Sequence, residues 1–224
     1  MKIVTLSKEE FDDYSLKHRY ETYMQNSKYA ELESCKGFGS HYLGFVENNE
    51  LVGATMCLYK KAFWGYSYAY APRGILMDYD NPYMVDKITT SLKKLLYKQN
   101  FIFVKIDPPV IASEKDINGR TIYTSDTVND ILKTLKANNY VHQGFNLGFE
   151  TKKPRWNNVI RLEKNIKDLF ENYDDNTKLC IKNSINLGLS LIKDTNLVAE
   201  DYFGIIRDKY SKIGVDYFKK LFDI

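Results

Sequence analysis

Two runs dominated by apolar and aromatic side chains, residues 41–46 and 51–60, flank Glu47-Asn48-Asn49-Glu50. Asn tolerates positive φ better than most residues, so the spacing predicts an antiparallel hairpin. A third, aromatic strand is expected over 64–70, before Ala71-Pro72-Arg73-Gly74 breaks the pattern. From 82 to 99 the apolar positions Val85, Ile88, Leu92, Leu95 and Leu96 fall three and four apart, the repeat of one helical face. Phe101 to Ile106 is an almost continuous apolar run closed by Asp107-Pro108-Pro109, which reads as a buried central strand delivering Asp107 to its C-terminal end. Val128, Ile131, Leu132 and Leu135 predict a helix over 125–138, and 139–145 leads into a last strand.

At the start, Ser7 and Glu10 have the spacing of a capping box, so a helix is expected over 7–25. Beyond Pro154 the pattern begins again. A strand is expected at 157–162, helices at 166–170 and 176–187, a strand at 190–193, and one or two helices over 198–218. The order of elements predicts an α/β class, a mixed α+β layer arrangement, with one unit over 1–153 and a second, incomplete one over 154–224.

Composition narrows the classes. Hydrophobic residues at 44% and charged residues at 27% suit a folded globular chain rather than a disordered one. A net charge of +3, from 32 basic against 29 acidic residues, is too small to signal nucleic-acid binding by itself, though a local basic groove stays open. The polar opening Met1 to Lys8 lacks a signal-peptide core and no apolar run reaches the roughly 20 residues of a membrane span, so a cytoplasmic location is expected. Cys35, Cys57 and Cys180 and the three histidines are scattered without metal-ligand spacing, so no metal is expected. Many of the 18 tyrosines crowd between 59 and 83, where core strands account for most and a stacking surface for a few.

Taken in order, Gln25 with Tyr29 and Lys36, the stretch Tyr70-Ala71-Pro72-Arg73-Gly74-Ile75-Leu76-Met77-Asp78, Ile106-Asp107-Pro108, and Gly144-Phe145 leading to Lys152-Lys153-Pro154-Arg155-Trp156 resemble the landmarks of the FemABX aminoacyltransferases. Residues 176–188 resemble that family's basic helix, and Tyr217-Phe218 its later aromatic pair; Ile213 stands where the family usually has arginine. The resemblance implies a GNAT-like acyltransferase fold, one complete unit followed by a partial second. It implies aminoacyl-tRNA as co-substrate, no cofactor, and a lipid-linked or UDP-linked muramyl pentapeptide as acceptor. A lipid-linked acceptor would bring transient contact with the inner membrane face.

Aminoacyl transfer needs a deprotonated amine, an activated ester and donors for the oxyanion of the tetrahedral intermediate. No covalent enzyme intermediate is required, in keeping with the lack of a Ser-His-Asp or Cys-His signature. Asp107 is the candidate to position or deprotonate the amine; the other reading is a carboxylate that caps the Asp-Pro-Pro turn. Lys36, beside Gly37-Phe38-Gly39, would bind phosphate or nearby acids, and otherwise is a solvated lysine. Arg73 would contact carboxylate or phosphate, or tie down its own turn. Tyr217 would stack on or hydrogen-bond the precursor, or be core. Lys152, Lys153, Arg155, Lys178, Lys182 and Lys193 would offer a basic surface to tRNA, or a solvated face. An acetyl-CoA-dependent N-acetyltransferase and a non-catalytic binding module are the competing functions. For the former, Ser34 stands where a Gln or Arg would precede the Gly-x-Gly.

Overall fold

The computed structural model describes residues 1–144, 159, 162, 165–190, 202–204 and 214–223. The chain groups into two compact units, one formed by residues 1–142 with 198–224 and the other by 143–197.

The first unit is built on a six-stranded sheet. Strands β1 (Lys2–Thr5), β2 (Gly39–Glu47), β3 (Glu50–Lys61) and β4 (Ser67–Ala71) pair antiparallel in that order, and β5 (Leu76–Met77) adds to β3. β6 (Phe101–Ile106) then joins β4 in parallel. The expected β2–β3 hairpin is present, and both Asn48 and Asn49 adopt positive φ at its turn. The third strand begins later than 64, because Trp64 and Gly65 take positive φ in the connecting loop.

Alternation of side chains along β2 and β3 creates two cores. Leu43, Phe45 and Cys57 face α3 (Pro82–Lys98), whose Val85, Ile88, Leu92 and Leu96 are buried against them, with Ile131 of α4 (Val128–Ala137) alongside. Tyr42, Ala54, Met56 and Leu58 face the other way, toward Phe11 of α1 (Lys8–Ser15) and Ala30 of α2 (Ser27–Ser34). Removing any one of the buried α3 leucines forfeits about 2–5 kcal/mol through lost transfer energy and the cavity left behind.

Three expectations need correction. The helix expected over 7–25 carries the predicted capping box but stops at Ser15. The buried Ser15 hydroxyl donates to the Gln25 carbonyl at 2.5 Å, and successive turns at Lys17, His18 and Glu21 fold the chain back on itself. Asn26 then caps α2, and Asp12 binds both the amide and the hydroxyl of Ser27, fastening α1 to α2. Second, β6 is not central among the described residues. It pairs with β4 alone, and Ile102 and Phe103 are about half exposed, so its apolar run did not report burial on both faces. Third, residues 139–144 form no strand, while 145 lies outside the described residues. A small hairpin of β7 (Ser113–Lys115) and β8 (Thr121–Thr124) and the strand β1 carried no clear period in the sequence.

In the second unit α5 (Ile166–Glu171) and α6 (Asp175–Asn186) lie where helices were expected, capped by Asn165 and Asp174. The strands expected at 157–162 and 190–193 fall almost wholly outside the described residues. Near the C-terminus, α7 (Val215–Asp223) packs on α2 within the first unit, with Phe218 buried.

Candidate active site

β4 and β6 run parallel with Tyr70 opposite Lys105 and Ala71 opposite Ile106, so Asp107 and the turn after Ala71 emerge together at the C-terminal edge. The Asp107 carboxylate accepts a hydrogen bond from the Arg73 backbone amide at 2.6 Å and another from the Tyr70 hydroxyl at 3.0 Å. Arg73 itself sits at φ +52°, a conformation a side chain adopts only when the surroundings hold it there.

The turn is held from behind as well. Gln25 is fully buried; its Nε2 donates to the Pro72 carbonyl at 2.7 Å and the Met56 carbonyl at 3.1 Å, while its Oε1 accepts from the Met56 amide at 2.8 Å. Gly74 is required at its position, because a Cβ there would lie 2.9 Å from both Gln25 Nε2 and Thr55 Oγ1. The Tyr79 hydroxyl accepts from the Ile75 amide and donates to the Ile75 carbonyl. Burial pushes the Tyr70 hydroxyl well above the ordinary tyrosine range, and the Asp107 charge pushes it further, so Tyr70 remains a protonated donor.

A second cluster forms around Lys36, just past the end of α2. Its Nζ is 2.7 Å from Glu33 Oε1 and 4.4 Å above the Tyr217 ring of α7. The Glu33 side chain is 9% exposed and that of Lys36 31%, so an ion pair and a cation–π contact meet at a partly shielded surface. The Tyr29 hydroxyl is pushed up mainly by burial, then by the Glu33 charge. Lys60 fastens the backbone below, donating to the Lys36 carbonyl at 3.1 Å with its Nζ 5.2 Å from the centre of the Phe38 ring.

Asp107 and Arg73 thus stand together, as do Lys36 and Tyr217, on one compact unit. The amides near Gly37 are not the phosphate cradle expected beside Lys36. Those of Gly37 and Phe38 are spent on the Ser34 and Glu33 carbonyls that close α2, leaving the ammonium as the group that can meet an anion. Of the basic residues, Lys178 is paired with Glu171 and Lys182 is exposed on α6, whereas Lys152, Lys153, Arg155 and Lys193 lie outside the described residues, as does Ile213. Tyr70 and Glu33 received no role from the sequence. Tyr70 is one of many strand tyrosines, and only the parallel β4–β6 register sets it beside Asp107; Glu33 sits three residues before Lys36, a helical spacing that could have flagged it. Among the described residues no group of three or more His, Cys, Asp or Glu gathers as a metal site, and no helix is long and apolar enough to cross a membrane.

Known proteins share this chain's pattern. It is 29% identical to the aminoacyltransferase FemA of Staphylococcus epidermidis over 84% of its own length and 46% of that protein's. With the aminoacyltransferase FemB of the same species it shares 29% identity over 94% of its length and 50% of the relative's. A lipid II:glycine glycyltransferase of Staphylococcus aureus is 22% identical over the whole chain and 52% of that protein. The chain spans about half the length of the curated relatives it matches. The crystal structure of FemX superposes on all of it and on 54% of that chain, with a TM-score of 0.77 and 21% identity, so the mixed α/β fold is shared. The model of the FemAB family matches residues 6–224, and the chain belongs to that family.

Proposed function

We propose that this chain carries the acceptor-binding half of an aminoacyltransferase that lengthens the stem peptide of a peptidoglycan precursor with amino acids supplied by aminoacyl-tRNA, on the cytoplasmic side. The observation that carries the reading is the convergence of Lys36 and Tyr217 from distant parts of the sequence, on the same unit as the carboxylate of Asp107. The names of the FemA, FemB and glycyltransferase relatives support the class of reaction.

Lys36 meets the diphosphate of the precursor, and the Tyr217 ring steadies the ammonium from one side. Asp107 holds the attacking amine and accepts its proton as the amine nitrogen bonds to the ester carbonyl carbon. The carbon–oxygen bond to the tRNA ribose then breaks, and the ribose oxygen leaves with the proton that Asp107 took from the amine, which restores the carboxylate. Tyr70, kept protonated, orients the Asp107 carboxylate, and Arg73 offers its cation at the same turn. Lys182 of α6, with the basic residues near it in sequence, guides the tRNA. The acetyl-CoA alternative fits less well, because the Gly37-Phe38-Gly39 motif closes the C-terminus of a helix, the end whose partial negative charge disfavours a pyrophosphate.

The test is a transfer assay with the native-length protein, mixed charged tRNAs, and lipid-linked and UDP-linked pentapeptide precursors, with acetyl-CoA as control donor. tRNA-dependent extension that falls in Asp107→Asn and Lys36→Ala supports the proposal; acylation from acetyl-CoA alone overturns it.

A further inference from the structure

Opposite the Asp107 edge, the sheet ends in a cap of exposed aromatic and cationic side chains. The loop between β3 and β4 is a short closed structure, fixed by the Ala62 amide donating to the Tyr66 carbonyl at 2.8 Å and the Tyr66 amide to the Phe63 carbonyl at 3.0 Å. It presents Phe63 and Trp64 in a T-shaped pair, with Trp64 91% exposed and Phe63 61% exposed. Trp64 is held at φ +51°, where Gly or Asn would be less strained, so the indole stands at the tip against the local backbone preference. The turn between α3 and β6 adjoins this loop through the Ser67 amide bonded to the Asn100 carbonyl, and it adds Tyr97, 81% exposed, and Lys98. Both stretches lack acidic residues. Between Leu51 and Met77, and again between Lys87 and Ile106, every aspartate and glutamate is missing, while Lys61 at the loop and Lys98 at the turn are present.

We propose that this end of the sheet, with Trp64 and Phe63 at its tip and Lys61 and Lys98 around them, is a docking surface for an anionic phospholipid membrane. Exposed Trp, Tyr and Phe on one small loop, flanked by Lys61 and Lys98 in stretches of sequence without acidic residues, match the chemistry of the bilayer interface: rings settle at the headgroup level and ammonium groups meet lipid phosphates. The position adds to this. Lys60 binds the Lys36 carbonyl and lies one residue before Lys61, which pairs with Ser67 at the mouth of the loop. A diphosphate held at Lys36 would lie against the strand that leads into the loop, and an acyl or prenyl chain leaving it toward that end would reach the bilayer at Trp64. This last step rests on the proposed role of Lys36 and selects the lipid-linked over the nucleotide-linked acceptor; the docking itself does not rest on it.

The experiment uses the full chain with Trp156→Phe, which leaves Trp64 as the single indole. Vesicles of equal parts phosphatidylglycerol and phosphatidylcholine should shift its emission to the blue and shield it from acrylamide, and pure phosphatidylcholine should do so less. In flotation, Phe63→Ser with Trp64→Ser should lower partitioning about tenfold or more, and Lys61→Ser or Lys98→Ser about fivefold each at low salt, with far-ultraviolet dichroism unchanged. An indole that ignores vesicles, one already shielded in buffer because another segment or protein covers it, or a double variant that floats like the wild type overturns the proposal. No precursor is present in that arm, so it stands or falls alone. Calorimetry with the soluble UDP-linked pentapeptide forms the other arm, in which Lys36→Ala should weaken binding about tenfold and the Phe63 and Trp64 double variant should not; undiminished affinity in Lys36→Ala sinks the role of Lys36 and leaves the membrane surface untouched.

Discussion

The carboxylate at Asp107 and the ammonium at Lys36 are held in opposite ways. Asp107 grips a backbone amide, and the turn it grips is fixed again by Gln25, Tyr79 and the absence of room beside Gly74. Lys36 is held through its Nζ by side chains, Glu33 on its own helix and Tyr217 from the far end of the chain. Backbone anchorage fixes a group to a fraction of an ångström, as proton transfer requires. Side-chain anchorage permits exchange, as binding and release of an anion require. One cluster is framework and the other is a latch.

The sharpest way to break this contrast is Asp107→Asn. The amide oxygen can still accept from the Arg73 amide, so melting should change little, while transfer should fall by about a hundredfold or more if the carboxylate takes a proton. Equal losses in melting and turnover would reduce Asp107 to a turn cap. Next, Gln25→Ala strands the Met56 amide and two carbonyls in the interior and should destabilise the fold by about 3 kcal/mol in urea denaturation. A variant as stable as the wild type would mean the turn does not depend on that brace. Lys36→Ala should weaken binding of the UDP-linked precursor by about tenfold in calorimetry, with a stability loss smaller than that of Gln25→Ala although it leaves the nearly buried Glu33 carboxylate without its cation. A collapse of stability instead would make Lys36 framework too.

The smallest effect concerns pH. His41 is stacked on Tyr59 with ring centres 4.6 Å apart, and burial holds its imidazole below the ordinary value; His18 is held down by burial and then by the neighbouring Arg19 charge. Lowered folded values mean that the fold prefers neutral imidazoles. Their stabilisation is full above the unfolded value of about 6.5 and is lost as pH falls from there through the folded values. The urea midpoint should therefore drop between mildly alkaline and mildly acidic buffer, and His41→Gln should flatten that drop. A midpoint that rises on acidification contradicts the sign.

Much of the framework was legible because periodicity reports burial. Val85, Ile88, Leu92 and Leu96 specified α3 almost to its ends, and the Asn pair specified the β2–β3 turn. The misread places are those where long-range contacts decide. Residues 16–26 contain good helix formers, yet the buried Ser15 hydroxyl and the Gln25 brace turn the chain. The apolar run of β6 looked doubly covered, although its neighbour on one side is β4 and the described residues supply none on the other. At the candidate site, Asp107, Arg73, Lys36 and Tyr217 were candidates through residue type together with the family resemblance, and the structure sets them in two pairs. Of their partners, Tyr70 came from the β4–β6 register, which one sequence does not display, whereas Glu33 was within reach of a helical-spacing argument.

The return of α7 to α2 makes the first unit discontinuous, with residues 143–197 interrupting it. A truncation after residue 142 would therefore not be a clean excision of one lobe. It would strip the Phe218 contact from the α2 face and the Tyr217 ring from the Lys36 ammonium, so the latch can close only after the ribosome has delivered almost the last residues of this stretch.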